Sequence, residues 1–180
     1  MLYITVPAGE IYDETNGVFI ESREQTLKLE HSLVSLSKWE SKWHKPFLTN
    51  DPKTEEETID YIKCMTITPN VDPYTYNFLT RENVEQINNY IGDPMTATTF
   101  SKEQQSKNNR EIVTSELIYY WMIALNIPFE CQKWHINRLL TLVRVCNIKN
   151  QPPKKMGKRD LMSRNAALNA ARRQQLNTKG

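Results

Sequence analysis

Apolar and polar residues alternate near the start of the chain, which indicates short β-strands. Three segments read in this way: residues 2–6 (LYITV), 17–20 (GVFI) and 26–30 (TLKLE). In the third segment the alternation places Leu27 and Leu29 on one face. Turn-forming residues precede the second segment, at 13–17 (DETNG). We therefore expect residues 1–32 to form a small β-sheet.

After the third strand, the spacing of the apolar residues changes to that of amphipathic helices. Leu33, Leu36, Trp39 and Trp43 recur at intervals of three and four residues. Pro46 ends this helix, since proline does not continue a helix. The pair Thr54 and Glu57 forms a capping box that starts a second helix. A third helix begins at Thr80 and stops at Gly92.

Two strongly apolar helices follow, over residues 111–126 and 130–147. Pro128 between them permits a short turn and a new helix start. We expect an antiparallel helical hairpin of these two at the centre of the core. The polar stretch 101–109 ahead of them reads as a mobile loop and an internal hinge.

The chain divides at a pair of prolines, Pro152 and Pro153, which cannot continue a helix. Residues 1–150 are expected to form one globular domain, with the sheet in 1–32 and helices in 33–150. Residues 151–180 are a separate tail, whose Ala, Leu, Arg and Gln content favours a helix. The expected class is mainly α with a small N-terminal β-sheet (α+β), a central antiparallel helical hairpin and a C-terminal basic helical appendage.

Charge is divided unevenly between these two parts. The whole chain carries a net charge of +2, and its 39% hydrophobic and 24% charged residues are typical of a globular protein. Residues 149–180 hold nine lysines and arginines against one acid, or +8. The other 148 residues hold 14 basic and 20 acidic residues, or −6. An acidic body is thus joined to a basic tail, and the two carry charges that attract.

The basic tail is the first candidate binding segment. Its candidate partner-binding residues are Lys154, Lys155, Lys158, Arg159, Arg164, Arg172 and Arg173. As a helix it could lie on an acidic protein surface, a nucleic acid or a membrane. It lacks aromatic residues for base stacking and has few bulky apolar residues, so an acidic protein surface is preferred. A solvated, flexible tail and docking onto the acidic body are the alternatives.

A second candidate lies in the first of the two apolar helices. Tyr119, Tyr120 and Trp121 are consecutive, and consecutive helical residues point about 100° apart. At least one ring must therefore point away from the main core. Tyr119 and Tyr120 are candidates for a docking patch, and burial against another helix of the same domain is the alternative.

Signatures of catalysis do not occur in the sequence. It has no Walker or dinucleotide-binding loop, no Gly-x-Ser-x-Gly and no His-Glu-x-x-His. His31, His44 and His135 are interpreted as structural, and the pair Cys131 and His135 has no second pair at zinc-site spacing. Cys64 and Cys146 fit an apolar helical pattern, where cysteine packs as a small hydrophobe. We expect no enzyme activity, cofactor or metal.

The sequence also bears on location. No run of about 18 uncharged apolar residues exists, so we expect no segment that spans a bilayer. We also expect no membrane partner, because bulky apolar residues are few in the tail. Residues 1–8 have no basic region ahead of their apolar residues and are too short for a signal peptide. The chain is therefore expected to remain inside the cell that makes it.

Four segments together resemble a known family. They are residues 29–47 (LEHSLVSLSKWESKWHKPF), 114–122 (TSELIYYWM), 134–140 (WHINRLL) and 164–180 (RNAALNAARRQQLNTKG). The chain is similar, over nearly its whole length, to tail-morphogenesis proteins of long-tailed bacteriophages that are regarded as tail assembly chaperones. The resemblance implies a protein in the host cell cytoplasm that keeps the apolar tape measure protein soluble and brings tail-tube subunits to it.

Two other functions stay open beside the chaperone. One is a structural virion protein, such as a tail or head-completion component. The other is a nucleic-acid-binding protein that acts through its basic tail, although nucleic acid is the less expected partner. Self-association is a further open possibility.

Overall fold

The computed structural model describes residues 1–13, 17–100, 111–151 and 157–177. The predicted loop at 101–109 and the proline pair at 152–153 lie outside the described residues. The chain divides into two compact units, Met1–Asn147 and Ile148–Gly180.

The chain forms strands first and helices afterwards. The strands are β1 (Leu2–Val6), β2 (Gly9–Asp13), β3 (Val18–Ser22) and β4 (Gln25–Leu29). The α-helices are α1 (Leu33–Trp43), α2 (Glu55–Met65), α3 (Arg81–Gly92), α4 (Ser115–Ala124), α5 (Ile136–Asn150) and α6 (Lys158–Leu176), and 3₁₀ helices cover Pro73–Phe78 and Phe129–Lys133. The predicted class, mainly α with a small N-terminal β component, is confirmed.

The strands form two antiparallel ladders within one long hairpin. β1 pairs with β4, and β2 pairs with β3. Both ladders keep the same register, since Leu2 lies opposite Leu29 and Gly9 lies opposite Ser22. Pro7 lies at the interruption between the ladders, where it has no backbone N–H to contribute. β2 is a strand that the sequence analysis missed.

The interruption changes which residues face the body. In the first ladder Ile4 and Leu27 are buried. In the second ladder the inward pair is Gly9 and Ser22. The Ser22 hydroxyl lies 3.3 Å from that of Thr75, and a Cβ on Gly9 would lie 2.2 Å from the Phe78 ring. The opposite face of the second ladder, which does not contain the Gly9 and Ser22 pair, therefore points to solvent.

Capping explains where the first three helices begin. Ser32, Thr54 and Thr80 each accept a hydrogen bond from the backbone of the third helical residue, and that residue's side chain accepts one in return. The predicted capping box of Thr54 and Glu57 is confirmed. α1 ends at His44, which adopts a left-handed conformation with φ of 53°.

α1 and α2 are joined through the tryptophans of α1. Trp39 Nε1 donates to the backbone oxygen of Glu57 at 2.8 Å, and Trp43 Nε1 donates to Asp60 Oδ2 at 2.9 Å. Lys42 forms an ion pair with the same carboxylate. Burial would raise the pKa of Asp60, but the hydrogen bonds from Lys42 and Trp43 hold it below its usual value.

Buried residues form two core clusters, and α1 contributes to both. The first contains Trp39 with residues of β1, β4, α2, the first 3₁₀ helix and α3. The second contains Leu33 and Leu36 with Ile118 and Met122 of α4 and with Leu139 and other residues of α5. Of the two apolar helices, α4 has the more extensive contact with α1. The two apolar helices thus share a core cluster that is organised around α1.

Two predicted helix boundaries were wrong. The helix predicted at 111–126 spans only Ser115–Ala124, because the Thr114 side chain caps its start. The helix predicted at 130–147 is broken into a 3₁₀ helix and α5. At the break, the Ile136 N–H donates to the His31 oxygen at 2.7 Å, and this tertiary hydrogen bond replaces a helical one.

The second unit contains α6, the helix predicted for the tail. All of its residues are exposed. It begins after Gly157, and Asn177 ends it with φ of 53°. Helix-forming residues such as alanine, leucine and arginine account for its conformation.

Candidate protein-binding surfaces

A buried carboxylate fixes the start of α4. Glu40 Oε2 accepts from the Ser115 N–H at 2.7 Å, and its Oε1 accepts from the Phe47 N–H at 2.8 Å. The N-terminal N–H groups of a helix lack intrahelical acceptors, so a carboxylate here stabilises α4. α4 is therefore held on α1 in one orientation.

α4 presents an apolar pair to solvent on the side opposite its core residues. Tyr120 is 63% exposed and Ile123 is 61% exposed, and their spacing of three residues puts them on one face. Ile118 and Met122 are fully buried. We call Tyr120 and Ile123 the α4 face. The sequence analysis found Tyr120 but not Ile123, although the two share this helical spacing.

Tyr119 is placed differently from Tyr120. It is half-buried and packs against the second core cluster. Its hydroxyl donates to Gln132 Oε1 at 3.0 Å, and burial raises the pKa of Tyr119. Tyr119 therefore orients the 3₁₀ helix beside α4, and only Tyr120 of the two predicted tyrosines is available as a docking residue.

α6 is the second candidate surface. Five of the predicted partner-binding residues lie on it and are exposed: Lys158, Arg159, Arg164, Arg172 and Arg173. The remaining two, Lys154 and Lys155, lie outside the described residues. Asp160 is the helix's one acid, so α6 carries +4. Leu161, Met162, Leu168 and Leu176 are exposed beside these charges.

The second ladder of the hairpin forms a third surface, which the sequence analysis missed. Tyr12 lies opposite Phe19, and their ring centroids are 4.9 Å apart. The two side chains are 51% and 66% exposed. Glu10 lies opposite Glu21 on the same face, because both are two residues from the aromatic pair. These four residues are called the hairpin face. The adjacent apolar residues Ile11 and Tyr12 were its only sequence signal.

A buried histidine pair connects the strands to the helices. His31 and His135 stack edge to face with ring centroids 5.0 Å apart. His135 Nε2 lies 3.0 Å from the Tyr90 carbonyl, to which it must donate, and Nδ1 accepts from the Asn137 N–H at 3.3 Å. The Tyr61 hydroxyl lies 2.5 Å from His31 Nδ1.

The electrostatic environment keeps both histidines neutral. Burial, followed by the neighbouring His135, lowers the pKa of His31 to about 3. Burial also lowers the pKa of His135, although the Tyr90 carbonyl and Glu30 oppose this. Because both rings are buried and engaged by protein groups, the arrangement suits a structural junction rather than acid–base catalysis.

The described residues of the first unit contain a cleft with an apolar lining. It has a volume of about 440 Å³ and lies between α2, the 3₁₀ helix Pro73–Phe78 and α3. Ile59, Ile62, Leu79 and Val84 form its apolar lining. Within the described residues, no group of three or more His, Cys, Asp or Glu side chains could hold a metal ion. Cys131 is buried, which raises its pKa.

The described part of the chain contains no helix with the length and apolar character needed to cross a bilayer. Comparison with protein-family models, with curated proteins and with solved structures finds no match for this chain. The three surfaces described above are therefore the structural features that bear on its function.

Proposed function

We propose that this protein is a tail assembly chaperone of a long-tailed bacteriophage, which binds the tape measure protein and recruits tail-tube subunits in the host cell cytoplasm. The family resemblance of the four segments motivates the identity of the client. The α4 face is the structural observation that supports the proposal, because Tyr120 and Ile123 are exposed on a helix whose Ile118 and Met122 are fully buried. An aromatic and an aliphatic side chain one turn apart are typical anchors for an apolar client helix.

α6 supports the same function in a second way. Most helical stability in proteins comes from packing of an apolar face, and all residues of α6 are exposed. A partner that covers Leu161 and Leu168 would supply that packing. The positive charge of α6 would also attract an acidic partner such as a tail subunit.

Co-expression tests the proposal directly. The tape measure protein is produced with and without this chain, and its soluble fraction is measured after centrifugation. The proposal requires a clear increase in soluble tape measure protein and its co-purification with this chain. No increase in solubility and no co-purification would reject it.

Purified virions distinguish the chaperone from a structural component. A chaperone leaves the assembled tail, so the protein should be missing from purified particles by mass spectrometry. A fixed copy number in the particles would favour the structural virion protein instead.

Nucleic-acid binding is the second candidate function, and the exposed basic side chains of α6 are the observation that favours it. Phosphate contacts make such binding strongly dependent on salt. Salt-sensitive DNA binding that disappears on deletion of residues 154–180 would support this function. No DNA binding at low salt would eliminate it.

A further inference from the structure

The hairpin face combines an exposed aromatic pair with two like charges. Tyr12 and Phe19 expose adjoining aromatic rings. Glu10 and Glu21 lie directly opposite each other in the ladder, where like charges destabilise a strand pair. Neither carboxylate forms an ion pair within the described residues. A cation placed between them would relieve their repulsion.

Arginine fits this surface better than other cations do. Its guanidinium can donate two parallel hydrogen bonds to a carboxylate and can also stack on aromatic rings. Lysine lacks the planar group that does both. We therefore expect the hairpin face to bind an arginine that has apolar side chains beside it.

α6 presents that combination. Leu168, Arg172 and Leu176 are spaced four residues apart, so they form one row along the helix, and all three are exposed. Successive members of this row are about 6 Å apart along the helix axis. Arg172 thus lies between two leucines.

The spacing of the hairpin face matches this row. Glu10 and Tyr12 are two residues apart on β2, which corresponds to about 6.8 Å along a strand. If Arg172 lies over the two carboxylates, a leucine one helical turn away lies over Tyr12 and Phe19. The hairpin face and the row on α6 then match each other in charge, in apolar character and in spacing.

We propose that the hairpin face of one molecule binds the Leu168, Arg172 and Leu176 row of a second copy. Glu10 and Glu21 bind the Arg172 guanidinium, and a neighbouring leucine packs on Tyr12 and Phe19. The two surfaces differ, so the contact is heterologous. Two molecules joined in this way leave one hairpin face and one Leu168, Arg172 and Leu176 row unoccupied. Further copies can therefore add to the chain of molecules unless it closes into a ring. The inference concerns contacts between copies and does not involve the α4 face, but it shares Leu168 with the partner contact proposed for α6.

Two variants with one defective surface each provide the test. Glu10→Gln/Glu21→Gln removes the carboxylates, and Arg172→Gln removes the guanidinium. Sedimentation velocity is measured for the full chain at low salt up to about 0.5 mM, because a contact this small belongs to the weak class. Wild type should form species that grow with concentration, and added salt should reduce them. Each variant alone should associate at least about tenfold more weakly.

The mixture of the two variants gives the decisive result. One variant retains an intact Arg172 row and the other an intact hairpin face, so an equimolar mixture should form a 1:1 dimer and no larger species. Circular dichroism of each variant checks that it is folded. Removing the like-charged pair should not weaken the hairpin.

Matched substitutions at other positions serve as controls. Glu55→Gln/Glu56→Gln removes the same charge from exposed positions on α2, and Arg159→Gln removes one from another side of α6. Both controls should associate like wild type. Monomeric wild type at 0.5 mM would overturn the proposal. So would unchanged association of either surface variant, equal loss in the controls, or a mixture that stays monomeric.

Discussion

Glu40 and Ser115 lie 75 residues apart, and a 2.7 Å hydrogen bond from the Ser115 N–H to Glu40 Oε2 joins them. The other oxygen of the same carboxylate accepts from Phe47 N–H. One side chain of α1 therefore accepts hydrogen bonds both from the loop that follows α1 and from the first turn of α4. This relationship sets where the α4 face lies on the body.

Glu40→Gln should destabilise the protein. The substituted amide has one acceptor oxygen in place of two, and its NH₂ group would face a backbone N–H. We expect a loss of about 1–3 kcal/mol in the free energy of unfolding, measured by urea denaturation. Glu111→Gln is the control, because Glu111 is exposed, and it should change stability by less than about 0.5 kcal/mol. Equal effects of the two substitutions would contradict the role given to Glu40.

The histidine pair should make the fold sensitive to acid. The unfolded His31 titrates near 6.5, whereas the folded pKa is about 3. The unfolded chain therefore binds more protons below pH 6.5, and stability is lost as the pH falls from 6.5 towards 3. Between pH 6.5 and 5, we expect the free energy of unfolding to fall by up to about 2 kcal/mol.

His31→Gln tests the source of this dependence. Glutamine keeps a polar partner for Tyr61 but does not titrate, so the loss between pH 6.5 and 5 should become smaller. His44→Gln, at an exposed position after α1, should keep the slope of the wild type. Urea denaturation at several pH values provides the measurement, and an unchanged slope in His31→Gln would assign the acid sensitivity to other groups.

Gly9→Ala should weaken the contact between the hairpin and the body. A Cβ at this position would lie 2.2 Å from the Phe78 ring, so the ring or the strand must move. Overpacking of this kind costs about 1–3 kcal/mol, which thermal denaturation would show as a lower melting temperature. Gly92→Ala is the matched control, because its added Cβ would have no atom within 4 Å apart from the neighbouring residues and the local helix backbone. It should be neutral or slightly stabilising.

Loss of the α4 face should abolish client binding without unfolding the protein. Tyr120→Ser/Ile123→Ser changes two exposed side chains, so the melting temperature should move by only a few degrees. If the proposed function is correct, the soluble yield of co-expressed tape measure protein should fall to the level seen without this chain. Ile67→Ser/Tyr74→Ser makes the same two changes at other exposed positions and should preserve solubilisation. Full solubilisation by the α4 variant would exclude this face as the client site.

The local pattern was enough to predict much of the secondary structure. Three strands and the helices α1, α2 and α3 were found from periodicity and capping, and the helical tail was found from its composition. All of these signals depend on residues close in sequence. β2 was missed because Gly9 and Asp13 at its ends are poor strand formers. Its pairing with β3 overrides that weak preference.

The candidate site was only partly predictable. Tyr120 follows from the angular spacing of residues on a helix, and the basic residues of α6 follow from composition. Helical spacing could not assign Tyr119 to the interior, because that placement depends on Gln132 and the second core cluster. The hairpin face depends on the register that brings Glu10 opposite Glu21.

The sequence by itself determined the helical class, most helix starts and the charge division between an acidic body and a basic tail, because these depend on local propensity and on composition. Only the tertiary structure decided which face each element exposes. It broke the predicted helix at 130–147, where the Ile136 N–H binds the His31 carbonyl. Long-range hydrogen bonds and packing compete with local preference, and they prevail where a buried backbone group needs a partner.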